Sequence, residues 1–471
     1  MVFSSLLFLF LFLPSVLACY YLAGRRYRNA VLLAFSYIFY FWGSGEVLAI
    51  LVLSTLADYL IGLKIDSGHK AESRKWVILS VAINLSFLAY FKYSNFFIGE
   101  LNRAFGSFGM GKIGWAEVLL PTGISFFTFH KITYIVDIYR GTRKSLRSFI
   151  DFGLYIAFFP QLIAGPIVRF HEISEQLKKR SESLNDFYCG TLRFSWGLVK
   201  KVLIADACGE IADSVFSIAP SLLDTKTAWL GTFSYALQIY FDFSAYADMA
   251  IGLGMMFGFH LPENFRRPYS SLSITDFWRR WHISLSNFFR DYLYIPLGGN
   301  RAAGGRVYLN LMIVFALCGM WHGASWTFLV WGVYHGALLT IERLTGLRRT
   351  EPGSFDPLRR FVTLVLVLVG WALFRAVHLS QAVLMIKAMF VPVNHTMPVE
   401  VSLSLNYRNL LFLAIGSVAV FLPREFSGLA VFDNKRPVLS AALTGALFVL
   451  VLYSFAFIAS GSFNPFIYFR F

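Results

Sequence analysis

Two histidines have the setting for moving a proton or attacking an acyl carbon. His322 lies in Met320-Trp321-His322-Gly323-Ala324-Ser325-Trp326, between apolar runs. An imidazole in a low-dielectric site stays neutral near physiological pH and can act as base or nucleophile. Gly323, with no Cβ, would let a ligand or another backbone come close. A histidine satisfied inside a helical bundle fits the same pattern equally well. His282 lies in Phe277-Trp278-Arg279-Arg280-Trp281-His282-Ile283-Ser284. Guanidinium forks suit phosphate groups, such as those of a nucleotide-based acyl donor. An interfacial helix anchored by Arg and Trp at headgroup level is the equal alternative.

Asp242, Asp248, His130 and His335 are further candidates, because ionisable groups inside apolar segments are costly to keep. Asp242 stands four residues before Tyr246, so the pair can share a helix face and satisfy each other as a polar pin. His130 and His335 read as satisfied interior histidines. Three look-alikes are set aside. Gly106-x-x-x-x-Gly111-Lys112 imitates a phosphate loop, but Ile113 stands where Ser or Thr would bind magnesium. Gly254-x-x-x-Gly258 is a helix-packing pattern. No Gly-x-Ser-x-Gly elbow occurs. Cys19, Cys189, Cys208 and Cys318 have no CxxC spacing, so they suggest buried free thiols rather than a disulfide framework or a metal site.

The elements that must position these groups are apolar helices. Of 471 residues, 57% are hydrophobic and 15% charged, well short of the ~25% charge of soluble domains. Runs long enough to cross a bilayer occur at Val2–Leu22, Trp76–Ile98, Phe361–Phe374 and Val438–Ser460. The net charge of +15 is spread in clusters between spans, which excludes a nucleic-acid stripe and sets orientation instead. Val16-Leu17-Ala18-Cys19 imitates a lipoprotein cleavage box, but Arg25, Arg26 and Arg28 follow the apolar core rather than precede it. Gly43-Ser44-Gly45 supplies a turn within the apolar stretch 30–63. Ser273 with Asp276 makes a capping box. Phe277, Trp281, Leu285 and Phe288 then continue at helical spacing, so a partly buried or re-entrant amphipathic helix is expected there. Hydropathy predicts roughly ten to thirteen crossings, all within one transmembrane domain of residues 1–471. Arg424, Lys435 and Arg436 read as cytoplasmic, which puts the tail 460–471 outside.

Further segments stand in order along nearly the whole chain: Pro121-Thr122-Gly123-Ile124-Ser125-Phe126, Phe158-Phe159-Pro160-Gln161, Ala164-Gly165-Pro166-Ile167 and Gly197-Leu198-Val199-Lys200-Lys201. They continue through Tyr240-Phe241-Asp242-Phe243-Ser244-Ala245-Tyr246, Pro262-Glu263-Asn264-Phe265, Trp278–Ser286, Pro296-Leu297-Gly298-Gly299-Asn300 and Trp321-His322-Gly323. Through these segments the sequence resembles, over nearly its full length, the membrane-bound O-acyltransferases, above all their bacterial branch that acetylates alginate and peptidoglycan.

The resemblance implies an all-α polytopic fold with re-entrant or amphipathic helices and a central tunnel. It implies His322 as the catalytic residue in that tunnel and His282 as the second. Arg279, Arg280, Trp278, Trp281, Asn264, Trp321 and Ser325 are the donor-binding set, and Asp242, Tyr246 and Gln161 the polar tunnel residues. The implied donor is cytoplasmic acetyl-CoA, with no permanently bound cofactor and no metal. Phe466-Ile467-Tyr468-Phe469-Arg470-Phe471 resembles the aromatic hexapeptide of this branch, in which the tyrosine carries the acyl group onward; a simple aromatic anchor is the other reading.

The expected function is a relay in the bacterial inner membrane. Acetyl passes from acetyl-CoA through His322 and Tyr468 to a periplasmic serine-hydrolase-like O-acetyltransferase, which places it on an exported polysaccharide. The rivals are a lipid or sterol acyltransferase, a transporter or flippase for a polysaccharide precursor, and a scaffold for an envelope complex. Transporters favour inverted repeats with matching broken helices, whereas polar density here is confined to one central block.

Overall fold

A computed structural model describes residues 1–301, 304–348, 356–421, 437–461 and 466–467. Tyr468, Arg424, Lys435 and Arg436 lie outside the described residues. All regular structure among the described residues is helical. Four stretches are long and apolar enough to cross a membrane: Arg25–Ser67, Lys70–Ser107, Asp356–Arg375 and Val438–Ala459. Phe8–Leu22, Arg306–His322, Leu379–Phe390 and Tyr407–Phe421 are shorter apolar helices. Large apolar side chains face outward along them, including Leu22, Phe361, Val438 and Phe448. A helix satisfies its own backbone polar groups, so such a surface suits lipid.

The described chain forms two compact units. The first comprises Met1–Phe187 and Gly254–Pro262. Its helices are α1 (Leu13–Leu22), α2 (Arg28–Ser44), α3 (Leu48–Ser67), α4 (Lys70–Ser107), α5 (Ile124–Tyr139), α6 (Phe149–Ala157) and α7 (Phe170–Lys178). The expected turn falls where α2 ends, at Gly45, whose φ of +54° suits glycine. Phe3, Phe8, Phe12, Phe39 and Phe159 pack as one ring cluster. Lys131 is fully buried, its Nζ on the Ser54 hydroxyl and over the Phe127 ring, while Asp58 accepts from Ser80 and Asn84. At the unit's edge Glu182 pairs with Arg28 at 2.7 Å and accepts from the Tyr20 hydroxyl.

The second unit comprises Tyr188–Leu253 and Glu263–Phe471. Helix α8 (Leu184–Val199) enters it and passes through a π-helical turn, Lys200–Ala205, into α9 (Asp206–Ser217). Then come α10 (Thr225–Met256), two short helices α11 (Ile274–Trp278) and α12 (Ile283–Phe289), α13 (Arg306–His322), α14 (Trp326–Leu344), α15 (Asp356–Arg375), α16 (Leu379–Phe390), α17 (Tyr407–Phe421) and α18 (Pro437–Ala459). Ser273 caps α11 as expected, its hydroxyl accepting from the Asp276 amide. The continuous amphipathic helix predicted from there does not form. The chain breaks at His282, which adopts a left-handed conformation (φ +43°); Phe277 lies on α11, Leu285 and Phe288 on α12, and Trp281 in the break between them. Asp276 does not close the box on the Ser273 amide; it accepts from Leu272 N and pairs with Arg280 at 2.7 Å.

Four cysteines are free, but only Cys208 and Cys318 are buried; Cys19 is exposed and Cys189 intermediate, because their helices turn those faces outward.

Candidate active site

His322 is placed by a close crossing of α13 and α14. A Cβ on Gly319 would lie 2.2 Å from the Phe328 carbonyl oxygen, and one on Gly332 would lie 2.2 Å from the Phe315 carbonyl oxygen. Small residues let the two backbones touch, as in membrane helix pairs. Helix α13 ends at His322, and Gly323 turns the chain in extended conformation toward Ser325. The approach that Gly323 permits is taken by a ring of this chain: its missing Cβ would meet Phe328 at 2.2 Å. His322 is 5% exposed, with the rings of Trp321, Trp331 and Phe374 set edge-on at 4.9, 5.2 and 5.1 Å. The three rings enclose the imidazole on its apolar side and leave the site little room for water. Ser325 bonds Thr327 at 2.7 Å just beyond it.

His282 is completely buried, and the segment around Asn264 holds it. Backbone bonds run from Ile283 N to Asn264 O (3.0 Å) and from Arg266 N to Arg280 O (2.9 Å). The Asn264 side-chain oxygen accepts from the Ser284 amide and hydroxyl and lies 3.2 Å from His282 Nδ1. Asn264 Oδ1 can only accept, so this contact puts the ring proton on Nδ1 and leaves the lone pair on Nε2. Nε2 meets no hydrogen-bond partner among the described residues. The ring stands perpendicular to Phe243 at 4.7 Å and contacts Trp321 at 5.9 Å. Trp321 therefore touches both histidines. Among the described residues only Arg267 and His282 are non-glycine residues with positive φ, and both belong to this segment. Such strain costs about 1–3 kcal/mol and collects at functional sites.

The rest of the expected donor-binding set divides. Arg279 is exposed, whereas Arg280 is tied to Asp276 and Ser270. Trp278 is buried and donates to His335 Nδ1 at 3.3 Å, which satisfies that nitrogen of the histidine and places its proton on Nε2. Trp281 packs among Phe265, Phe277 and Trp371. Gln161 belongs to the first unit, buried, donating to Tyr155 O at 2.6 Å. His130, also there, is buried with neither ring nitrogen bonded among the described residues, so it is not the satisfied histidine predicted. Nothing polar in its helix neighbours reaches the ring, whose near contact is Tyr155 at 5.6 Å.

Asp242 takes other partners than Tyr246. Its carboxylate pairs with Lys201 at 2.7 Å and accepts from Ile467 N at 2.7 Å. Lys201 also pairs with Asp206 at 2.7 Å. Lys200, its neighbour in the chain, instead pairs with Asp248, which shares Arg193 with Glu263. The π turn, with its extra residue, aims two consecutive lysines at two separate carboxylate groups. Glu342 was not singled out from the sequence. From α14 it accepts from Ile274 N, Thr275 N and Thr275 Oγ1 at 2.5–2.9 Å, clamping the start of α11. Its sign was an acid at the end of an apolar helix.

The family model of the membrane-bound O-acyltransferases matches residues 114–381, a stretch that holds both histidines, Asn264 and both ion clusters except for the C-terminal contact. The chain belongs to the membrane-bound O-acyltransferase family. This acyltransferase is 44% identical to the probable alginate O-acetylase of Pseudomonas putida, over the whole of both chains. It is 39% identical to the peptidoglycan O-acetyltransferase of Helicobacter pylori, over 83% of this chain and 80% of that one. A more distant likeness, 30% identity over 46% of this chain and 58% of the other, is to the teichoic acid D-alanyltransferase of Bacillus subtilis. The acyltransferase class and the alginate- and peptidoglycan-acetylating branch expected from the sequence both stand.

Proposed function

We propose that this enzyme takes acetyl from cytoplasmic acetyl-CoA and passes it across the bacterial inner membrane for O-acetylation of an exported polysaccharide of the alginate or peptidoglycan kind. The names of the two relatives matched over most or all of their length support the acyl group and the acceptor class. The observation that carries the chemistry is the pair of buried histidines on either side of Trp321, one of them with a bare Nε2. On this reading the histidines line a tunnel through a bundle of roughly ten to thirteen crossings. The CoA phosphates dock on exposed Arg266, Arg279, Arg301 and Arg306.

The step balances without metal or redox chemistry. A carrier hydroxyl, assigned to Tyr468, attacks the thioester carbonyl. His322 takes the hydroxyl proton, the C–S bond breaks, and the proton passes to the departing CoA thiolate. The acetyl ester is then handed to a periplasmic serine-hydrolase-like transferase, whose hydroxyl accepts it and returns the proton to the tyrosine.

The test measures ester-linked acetate released by mild base from washed envelopes of a deletion strain, complemented with wild type, His322→Ala or Tyr468→Phe at equal membrane levels. Loss in both variants is expected. Loss only with His322→Ala removes Tyr468 from the relay. Acetate that is normal in every strain, the uncomplemented deletion included, overturns polysaccharide acetylation and turns the reading to lipid acylation or transport.

A further inference from the structure

One buried lysine of the second unit serves two carboxylates. Lys201 is 2% exposed and, among the described residues, is the one cation within ion-pair distance of two buried carboxylates, Asp206 and Asp242, each at 2.7 Å. Buried carboxylates need donors as well as a counter-charge. The further donor on Asp242 is the backbone of the C-terminal stretch: Ile467 N–H reaches its second oxygen at 2.7 Å. Phe466 completes the arrangement. Its ring lies 5.0 Å from Lys201 Nζ, within cation–π range, and edge-on to Tyr246 at 4.9 Å. Phe466 and Ile467 are 1% and 4% exposed, although α18 has ended at Ala459.

We propose that Asp206, Lys201 and Asp242 form a socket for Phe466 and Ile467 of this same chain, with Asp242 and Lys201 as positioning residues for that two-residue contact. Recognition is through a main-chain amide and one aromatic ring, so the ligand class is an extended peptide segment with an aromatic residue before the bound N–H. The socket stands on the contacts of Phe466 and Ile467; its use in acyl delivery rests on the reading given under Proposed function. Phe466→Ala is the discriminating change, because it takes the ring off Lys201 and leaves the Ile467 N–H in place.

The experiment uses the full chain in detergent, with the four native cysteines replaced by alanine and one cysteine placed by Ile467→Cys, which keeps the bound N–H and the Phe466 ring. Its maleimide labelling is compared with Tyr407→Cys, a site 95% exposed. A docked segment labels at least about tenfold more slowly, the local opening it needs being the slow step. Adding Phe466→Ala should bring labelling to the exposed rate, and Phe466→Tyr should leave it slow. Amide hydrogen exchange of the C-terminal peptide in the unsubstituted chain should show Ile467 protected. Equal labelling at 467 and 407, an unprotected Ile467 amide, or a Phe466→Ala variant as slow as its parent would each overturn the socket. His322→Ala in the same background should lose acetyl transfer and keep slow labelling. A lost socket with His322 still required leaves the acyltransfer reading standing, and a protected tail with His322 dispensable does the reverse.

Discussion

Gly319→Ala should inactivate the enzyme without unfolding it. A carbon atom does not come within 3.0 Å of the atoms around it, yet the new Cβ would sit 2.2 Å from the Phe328 carbonyl oxygen, so α13 and α14 must part by about 0.8 Å. Backbone cannot swing aside as a side chain can. Overpacking of this kind costs roughly 1–3 kcal/mol, which a bundle of this size survives. The displacement falls one turn before His322, whose ring touches Trp331 on α14 and Phe374 on α15. Misplacing a catalytic group by about 1 Å costs on the order of 100-fold in rate. The assay is acetate ester formed per unit of membrane-inserted protein, with melting followed in detergent. Gly445→Ala is the control, since nothing lies within 4 Å of its added Cβ. Near-wild-type acetylation by Gly319→Ala would refute the claim that this crossing sets the histidine.

Asn264→Ala strips the acceptor from His282 and from the Ser284 amide. Orphaned buried donors cost about 1–3 kcal/mol each, so turnover should fall at least about tenfold, measured with CoA release. His282→Asn should melt close to wild type, since asparagine tolerates the left-handed conformation, yet be inactive; activity retained would remove the imidazole from the mechanism. Glu342→Ala frees three donors at the start of α11 and should slow turnover more than Glu342→Gln, which keeps an acceptor oxygen; equal rates would exclude the clamp. Burial raises the Glu182 carboxyl, but bonds from Tyr20 and Arg28 outweigh it and hold it below its usual value. The pairing therefore supports the fold above the unfolded pKa of about 4.3 and is lost as pH falls through the lower folded value. Acid melting of Glu182→Gln should lack that portion of the decline, and an unchanged profile would show that Glu182 does not contribute to it.

Much of the framework could be read directly from residue pattern, and the parts that could not share one cause. The long apolar helices, the break at Gly45 and the Ser273 cap are local, set by composition and by neighbours within four residues. The interruption at His282 is not local. Phe277, Trp281, Leu285 and Phe288 keep helical spacing across it, and what bends the chain is Asn264, eighteen positions earlier, bonding through the gap. Asp242 likewise read as a partner for Tyr246 one turn on, while its actual partners come from Lys201 and Ile467, far away in sequence. Both histidines were visible by type and setting. The contact of each with Trp321, and the proton placement on His282, needed the folded chain.

The widened turn at Lys200–Ala205 has a consequence for how this protein can change. One surplus residue is absorbed there, and the helix on each side is phased to it. Deleting that residue from 200–205 would close the turn to ordinary α geometry and leave the flanking helices near their present phase, because a π turn carries one residue more than an α turn through about the same rotation. Deleting one residue between Arg193 and Lys200 would instead rotate Arg193 by about 100° against the lysines and carry it away from Asp248. Point substitution can tune either cluster separately. The six residues are the place where this helix can lose a residue and keep its two ends in phase.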